Sequence, residues 1–124
     1  MSKITRYYGT VDANTSTLVS IDTTPIPANE SFTIDVFYGG RAVDNNTAEF
    51  SWLYRYILTY DNISGITLRD THNVLEYSLN GPFPITSSIS GSNINLVVDF
   101  NGGGAPPANA AECVTIYDCY LNYN

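Results

Sequence analysis

Residues 50–60 read FSWLYRYILTY, and their spacing decides the fold class. Phe50, Trp52, Tyr54, Tyr56, Leu58 and Tyr60 fall on every second position, with Ser51, Leu53, Arg55, Ile57 and Thr59 in the gaps. A period of two belongs to a β-strand, whose successive side chains point to opposite faces. One strand face lined with rings has three readings: a platform that stacks on sugars, a subunit interface, or a core.

Working outward from this stretch, strand patterns recur and no helical period is sustained. Strands are expected at about 3–11, 16–23, 31–39, 48–61, 65–70, 73–79, 84–90, 93–101 and 111–122. Pro25, Pro27, Gly81–Pro82 and NGGGAPPANA at 101–110 punctuate them. The chain therefore reads as a single domain over 1–124, an all-β, jelly-roll-like antiparallel β-sandwich of about eight to nine strands. At 124 residues it is long enough to bury a core without staples.

Parity tests the pairing. In SSISGSNINLVVDF, a two-residue Gly91–Ser92 turn sets Ser90 opposite Asn93, then Ile89 opposite Ile94, Ser87 opposite Leu96 and Ile85 opposite Val98. Tyr60 opposite Ile66 sets Leu58 beside Leu68. Tyr38 opposite Phe50 puts Phe32, Ile34, Val36 and Tyr38 on the face of the aromatic stripe. All three hairpins bring apolar positions together. The expected core is Phe32, Ile34, Val36, Phe50, Trp52, Tyr54, Leu58, Ile94, Leu96 and Val98. Tyr56 and Tyr60 end an unusually long strand and are expected to overhang the sandwich, where contact with a glycan or another subunit stands beside a core role. Asp35 and Arg55, of opposite parity to the stripe on neighbouring strands, are expected to form a cross-strand ion pair.

Composition narrows the function. The formal net charge is −7, and the basic residues are Lys3, Arg6, Arg41, Arg55 and Arg69. Without a basic run there is nothing to displace counterions from phosphates, so neither nucleic acid nor an anionic membrane surface is an expected partner. MSKITRYYGT lacks the apolar core of a secretory signal, and no stretch has the length of a membrane span. Sequons at Asn14, Asn29, Asn45 and Asn62 read as chance matches in an Asn/Ser/Thr-rich chain. Cys113 and Cys119 lie six apart in a strand-like run. That separation spans about 20 Å, against the roughly 7 Å that a disulfide tolerates between Cα atoms. Free thiols are expected, with an intermolecular bridge as the alternative.

Catalytic and metal signals are weak. His72 is the single histidine, without a second ligand for zinc and without a GxSxG-type nucleophile. Asp44, Asn45, Asn46 and Glu49 hold oxygen ligands but lack EF-hand spacing. A pair of carboxylates for glycoside hydrolysis needs only closeness in space, and no spacing singles one out. No cofactor and no catalytic residue is expected.

The segments GTVDANTSTLVSIDTTPIPANESFTIDVFYGGRA, WLYRYILTYDNISGITL and ITSSISGSNINLVVDFNGGGA, taken in order, resemble a small β domain of bacteriophage tail-fibre and other virion structural proteins. The resemblance covers roughly residues 9–104. Asp12, Asp35, Gly40–Arg41, Arg55, Tyr60, Gly65, Ser90–Gly91 and Asn93 fall on matching positions. KITRYY before it and the tail CVTIYDCYLNYN depart from the pattern, as does Ala42 where the family carries a second arginine. The resemblance implies a jelly-roll-like sandwich that forms homotrimers and serves a virion as a capsid decoration, head fibre or tail-fibre component. Such a protein is made in the host cytoplasm without a signal peptide and touches other virion proteins.

Two other functions compete with a non-enzymatic virion role: a carbohydrate-binding module that adsorbs to host-surface glycans, and a self-assembling extracellular filament subunit. The chain ends bear on assembly. Val114 and Ile116 on one face of the last strand, with Tyr117, Cys119 and Leu121 on the other, make it apolar on both sides, and one sandwich covers only one face. Tyr7, Tyr8, Tyr117, Tyr120 and Tyr123 are accordingly expected at a subunit interface, the alternative being ordinary surface tyrosines on an edge strand.

Overall fold

The computed structural model describes residues 2–12, 17–43, 49–98 and 112–124. Eight strands are present among them: β1 (Lys3–Asp12), β2 (Thr17–Asp22), β3 (Ser31–Val43), β4 (Glu49–Asn62), β5 (Ile66–Leu79), β6 (Ile85–Ser90), β7 (Asn93–Val98) and β8 (Glu112–Tyr123). They form two antiparallel sheets, a large one ordered β1-β8-β3-β4-β5 and a small one ordered β2-β7-β6. The nested pairs β1–β8 and β2–β7 wrap the chain ends around its middle, while β3, β4 and β5 run as a meander.

The period of two is realised on β4. Phe50, Trp52, Tyr54, Tyr56, Leu58 and Tyr60 are all buried, and the residues between them are exposed or half-buried. Phe32, Ile34, Val36 and Tyr38 of β3 join them, facing Ile21 of β2 and Ile94, Leu96 and Val98 of β7 across the sandwich. Rings stack within the layer: Tyr38 and Tyr54 lie 5.3 Å apart between centroids, and Phe32 and Tyr60 lie 5.2 Å apart. Phe83, between the sheets, packs its ring 4.7 Å from Trp52. Its carbonyl accepts from the Tyr38 hydroxyl at 2.7 Å, and its N–H donates to the Tyr54 hydroxyl at 2.9 Å. Tyrosine in place of phenylalanine thus lets the core hold the backbone of the segment that crosses from β5 to β6.

Several expectations change. Segments 65–70 and 73–79 are one strand, β5, because β4 is long enough to pair along RDTHN, with irregularities at Arg55/Tyr56 and Thr59/Tyr60 absorbing the turn-like composition. Gly39–Gly40 does not end β3 but lies inside it. A Cβ on Gly40 would sit 2.4 Å from both Trp52 Cζ2 and the Val114 carbonyl, so glycine is what lets the indole lie against this backbone. In consequence Tyr38 pairs with Tyr54, and Phe50 with Ala42. The slip of four residues is even and leaves every side chain on its expected face. Ile66 pairs with Asn62 across a three-residue loop ending in Gly65 at φ 95°, which sets Tyr60 opposite Leu68 and Leu58 opposite Thr71. The β6–β7 pairing is Ser90↔Asn93, Ile89↔Ile94, Ser87↔Leu96 and Ile85↔Val98, the register expected.

Tyr56 and Tyr60 do not overhang. Relative exposure is 7% for Tyr56 and 0% for Tyr60, because the small sheet covers this length of β4. β5, one of the two edges of the large sheet, is exposed along nearly its whole length.

Candidate assembly surface

The outer face of the large sheet is built by the other parity of the same strands. Reading across β8, β3, β4 and β5, the registers align Val114, Arg41, Ser51 and Leu79 in one row. The next rows are Ile116, Gly39, Leu53 and Tyr77, then Asp118, Phe37, Arg55 and Leu75, then Tyr120, Asp35, Ile57 and His72. From β1, Thr10, Tyr8 and Arg6 extend the last three rows.

An outer sheet face is ordinarily polar. This one is not: Phe37, Leu53, Leu75, Tyr77, Leu79, Val114, Ile116, Tyr8 and Tyr120 are all exposed, Ile116 at 62% and Tyr8 at 68%. At its centre lies a shallow depression of about 640 Å³ lined by Phe37, Gly39, Leu53, Val114 and Ile116. It exists because Gly39 contributes no side chain between Ile116 and Leu53; the Leu53 Cδ1 methyl leans to 3.0 Å from where a Cβ would stand.

Two ion pairs neutralise four of the charges on this face. Arg55 donates through Nε at 3.0 Å and Nη2 at 2.7 Å to the two carboxylate oxygens of Asp35. Arg6 grips Asp118 in the same two-pronged way, at 2.8 and 3.1 Å, and the Tyr120 hydroxyl donates to Asp118 at 3.2 Å. The Arg6 guanidinium also stands 4.6 Å from the Tyr8 ring centroid and 5.7 Å from that of Tyr120. These contacts hold the Asp118 carboxyl below the ordinary carboxylate range, chiefly through the Arg6 hydrogen bonds.

The five terminal tyrosines do not share one surface. On β8 the residues at 115, 117, 119, 121 and 123 face inward, and those at 114, 116, 118, 120 and 122 face outward. Tyr117 and Tyr123 are half-buried against the core, as is Tyr7 of β1. Only Tyr8 and Tyr120 look out. Tyr117 turns in over Gly9, where a Cβ would stand 3.1 Å from its hydroxyl.

The remaining candidates are scattered. Trp52 and Tyr54 are buried. His72 is exposed on β5 opposite Ile57. Glu49 is exposed, and Asp44, Asn45 and Asn46, like the sequons at Asn14 and Asn45, lie outside the described residues. Cys113 and Cys119 occupy one unbroken strand, which excludes a bond between them; the Cys119 thiol is free and buried. The outer-face residues Phe37, Leu53, Leu75, Tyr77 and Leu79 escaped the sequence reading. Apolar residues at the parity opposite the core were the available signal, followed only on β8.

The fold is similar to part of a crystal structure of the Acinetobacter baumannii phage AM24 tailspike protein, with a TM-score of 0.56 and 11% sequence identity. The likeness covers 97% of this chain and 26% of that one, so the chain spans about a quarter of the tailspike's length. At this identity the likeness is one of fold. No protein-family model and no curated protein sequence matches the chain.

Proposed function

We propose that the chain is a non-enzymatic structural component of a bacteriophage particle, a β-sandwich module that assembles with copies of itself and with other particle proteins. The observation that carries this reading is the apolar outer face of the large sheet. A lone soluble domain rarely leaves so many large apolar side chains contiguous and uncovered. The tailspike likeness in fold and the order of the tail-fibre-like segments in the sequence support a place in a virion. A carbohydrate-binding role loses its sequence-based platform, since Trp52, Tyr54, Tyr56 and Tyr60 all face the core. Mass spectrometry and antibody labelling of purified particles test the reading. A fixed copy number per particle is expected, and absence from intact particles would refute it.

A further inference from the structure

We infer that the outer face of the large sheet is where copies of this chain meet, each copy burying the rows around Gly39 against another. The inference rests on the self-assembly just proposed and names its surface.

Three observations select a second copy as the occupant. The first is charge. The chain carries a formal −7, so two copies repel each other wherever their surfaces are acidic. Across β8, β3, β4 and β5, the four rows hold Arg41 and Arg55 against Asp35 and Asp118, and the register of β1 adds Arg6 and Asp12, one charge of each sign. Like-charged copies can close on this face without stacking negative charge on negative charge. A polyanion finds too little positive charge here to bind, and a basic partner is drawn to the acidic remainder of the surface.

The second is extent. Four strands at about 4.8 Å spacing and four rows about 6.8 Å apart give a face of roughly 20 by 25 Å with its side chains. That is of the same order as the ~800 Å² each partner contributes to a stable interface. The third is composition. Aromatic and aliphatic side chains fill most of the four rows, and the Arg55–Asp35 and Arg6–Asp118 groups that stand among them are already paired, so closing the face buries apolar surface with charges that have partners.

The test uses the full chain in solution. Sedimentation equilibrium should show a closed oligomer for the wild type. Leu53→Asp combined with Ile116→Asp should raise its dissociation constant at least tenfold, with the far-ultraviolet β signal unchanged, since both residues are exposed. A second arm does not depend on that variant folding. Leu53→Cys should cross-link copies on mild oxidation well beyond the wild-type background, whereas Thr86→Cys, on the exposed side of the small sheet, should not. A monomeric wild type, assembly at wild-type concentrations by the double variant, or cross-linking through position 86 alone would overturn the inference. Particle composition is measured separately. A chain found in particles whose double variant still assembles sinks this surface and leaves the virion reading standing, and the reverse result does the opposite.

Discussion

The Tyr38 hydroxyl donates a 2.7 Å hydrogen bond to the carbonyl of Phe83, 45 positions further along the chain, and this tie joins the aromatic layer of β3 to the crossover between the sheets. Tyr54 accepts from the N–H of the same residue. Tyr38→Phe and Tyr54→Phe each keep the ring and remove one bond from a buried pair, so each should destabilise the fold by about 1–2 kcal/mol. Because both bonds converge on Phe83, the double variant should lose an amount different from the sum of the singles. Urea unfolding measures all three. Unchanged midpoints in both single variants would show that the hydroxyls are incidental.

Gly40→Ala should be costlier than its one added carbon suggests. The new methyl would overlap the Trp52 ring and the Val114 carbonyl, each 2.4 Å from the ideal Cβ position, and backbone cannot yield as a flexible side chain does. Overpacking of this kind costs about 1–3 kcal/mol. Displacement of the single tryptophan should register as a red-shifted emission in the folded state. A variant with wild-type emission and stability would mean that β3 does not pass beneath Trp52 in this register.

The same glycine shows why faces were legible in the sequence throughout, while of the registers the β6–β7 pairing was and the β3–β4 pairing was not. Alternation on 50–60 fixed which side of β4 is buried, and an even slip in pairing cannot change that. Gly39–Gly40, however, looks like a turn, and only a bulky partner on the next strand reveals that it is a gap left for a ring. RDTHN likewise reads as a turn until β4 proves long enough to pair with it. The terminal tyrosines illustrate the opposite case. Their split between faces follows directly from odd and even numbering on β8, but grouping them by composition hid it. Leu75, Tyr77 and Leu79 share the outer face of the large sheet with Leu53 and Phe37, but which residues of β5 take that face depends on its pairing with β4 and the irregularities in that register, so their grouping emerges only from the assembled fold.

Alkali should unfold the protein by titrating its interior. Burial pushes the Cys119 thiol up to about 12 from its ordinary 9.0, and raises the Tyr38, Tyr56 and Tyr60 phenols above 10.0. The folded state thus keeps protons that the unfolded chain gives up, first the thiol and then the phenols. The stabilisation is fully present below about pH 9 and is lost as pH rises toward the folded values, each group contributing at most about 1.4 kcal/mol per pH unit. Urea midpoints should be level from pH 7 to 8.5 and fall above pH 9. The Cys119 thiol should stay unreactive toward Ellman's reagent until that transition. Rapid labelling of Cys119 in the folded protein at pH 8 would contradict its burial.

Arg6 and Asp118 offer a test at the other end of the pH scale. The Asp118 carboxyl lies below its usual range chiefly because Arg6 donates two hydrogen bonds to it, with Tyr120 adding a third. A depressed carboxyl favours the folded state above its unfolded value near 3.8, and the benefit disappears as pH falls through the folded value. The pair is exposed, so its effect on stability is small and screened by salt, and the sensitive readout is the titration itself. Arg6→Gln should return the Asp118 carboxyl carbon, followed by NMR, toward the ordinary carboxylate range. Arg6→Lys should recover only part of the depression, because an ammonium group cannot reproduce the two parallel N–H bonds or lie flat over Tyr8 and Tyr120. The titration should be recorded in the Leu53→Asp, Ile116→Asp background, so that any copy-to-copy contact on this face does not contribute. If Asp118 titrates identically with arginine, lysine or glutamine at position 6, the clasp between β1 and β8 does not persist in solution.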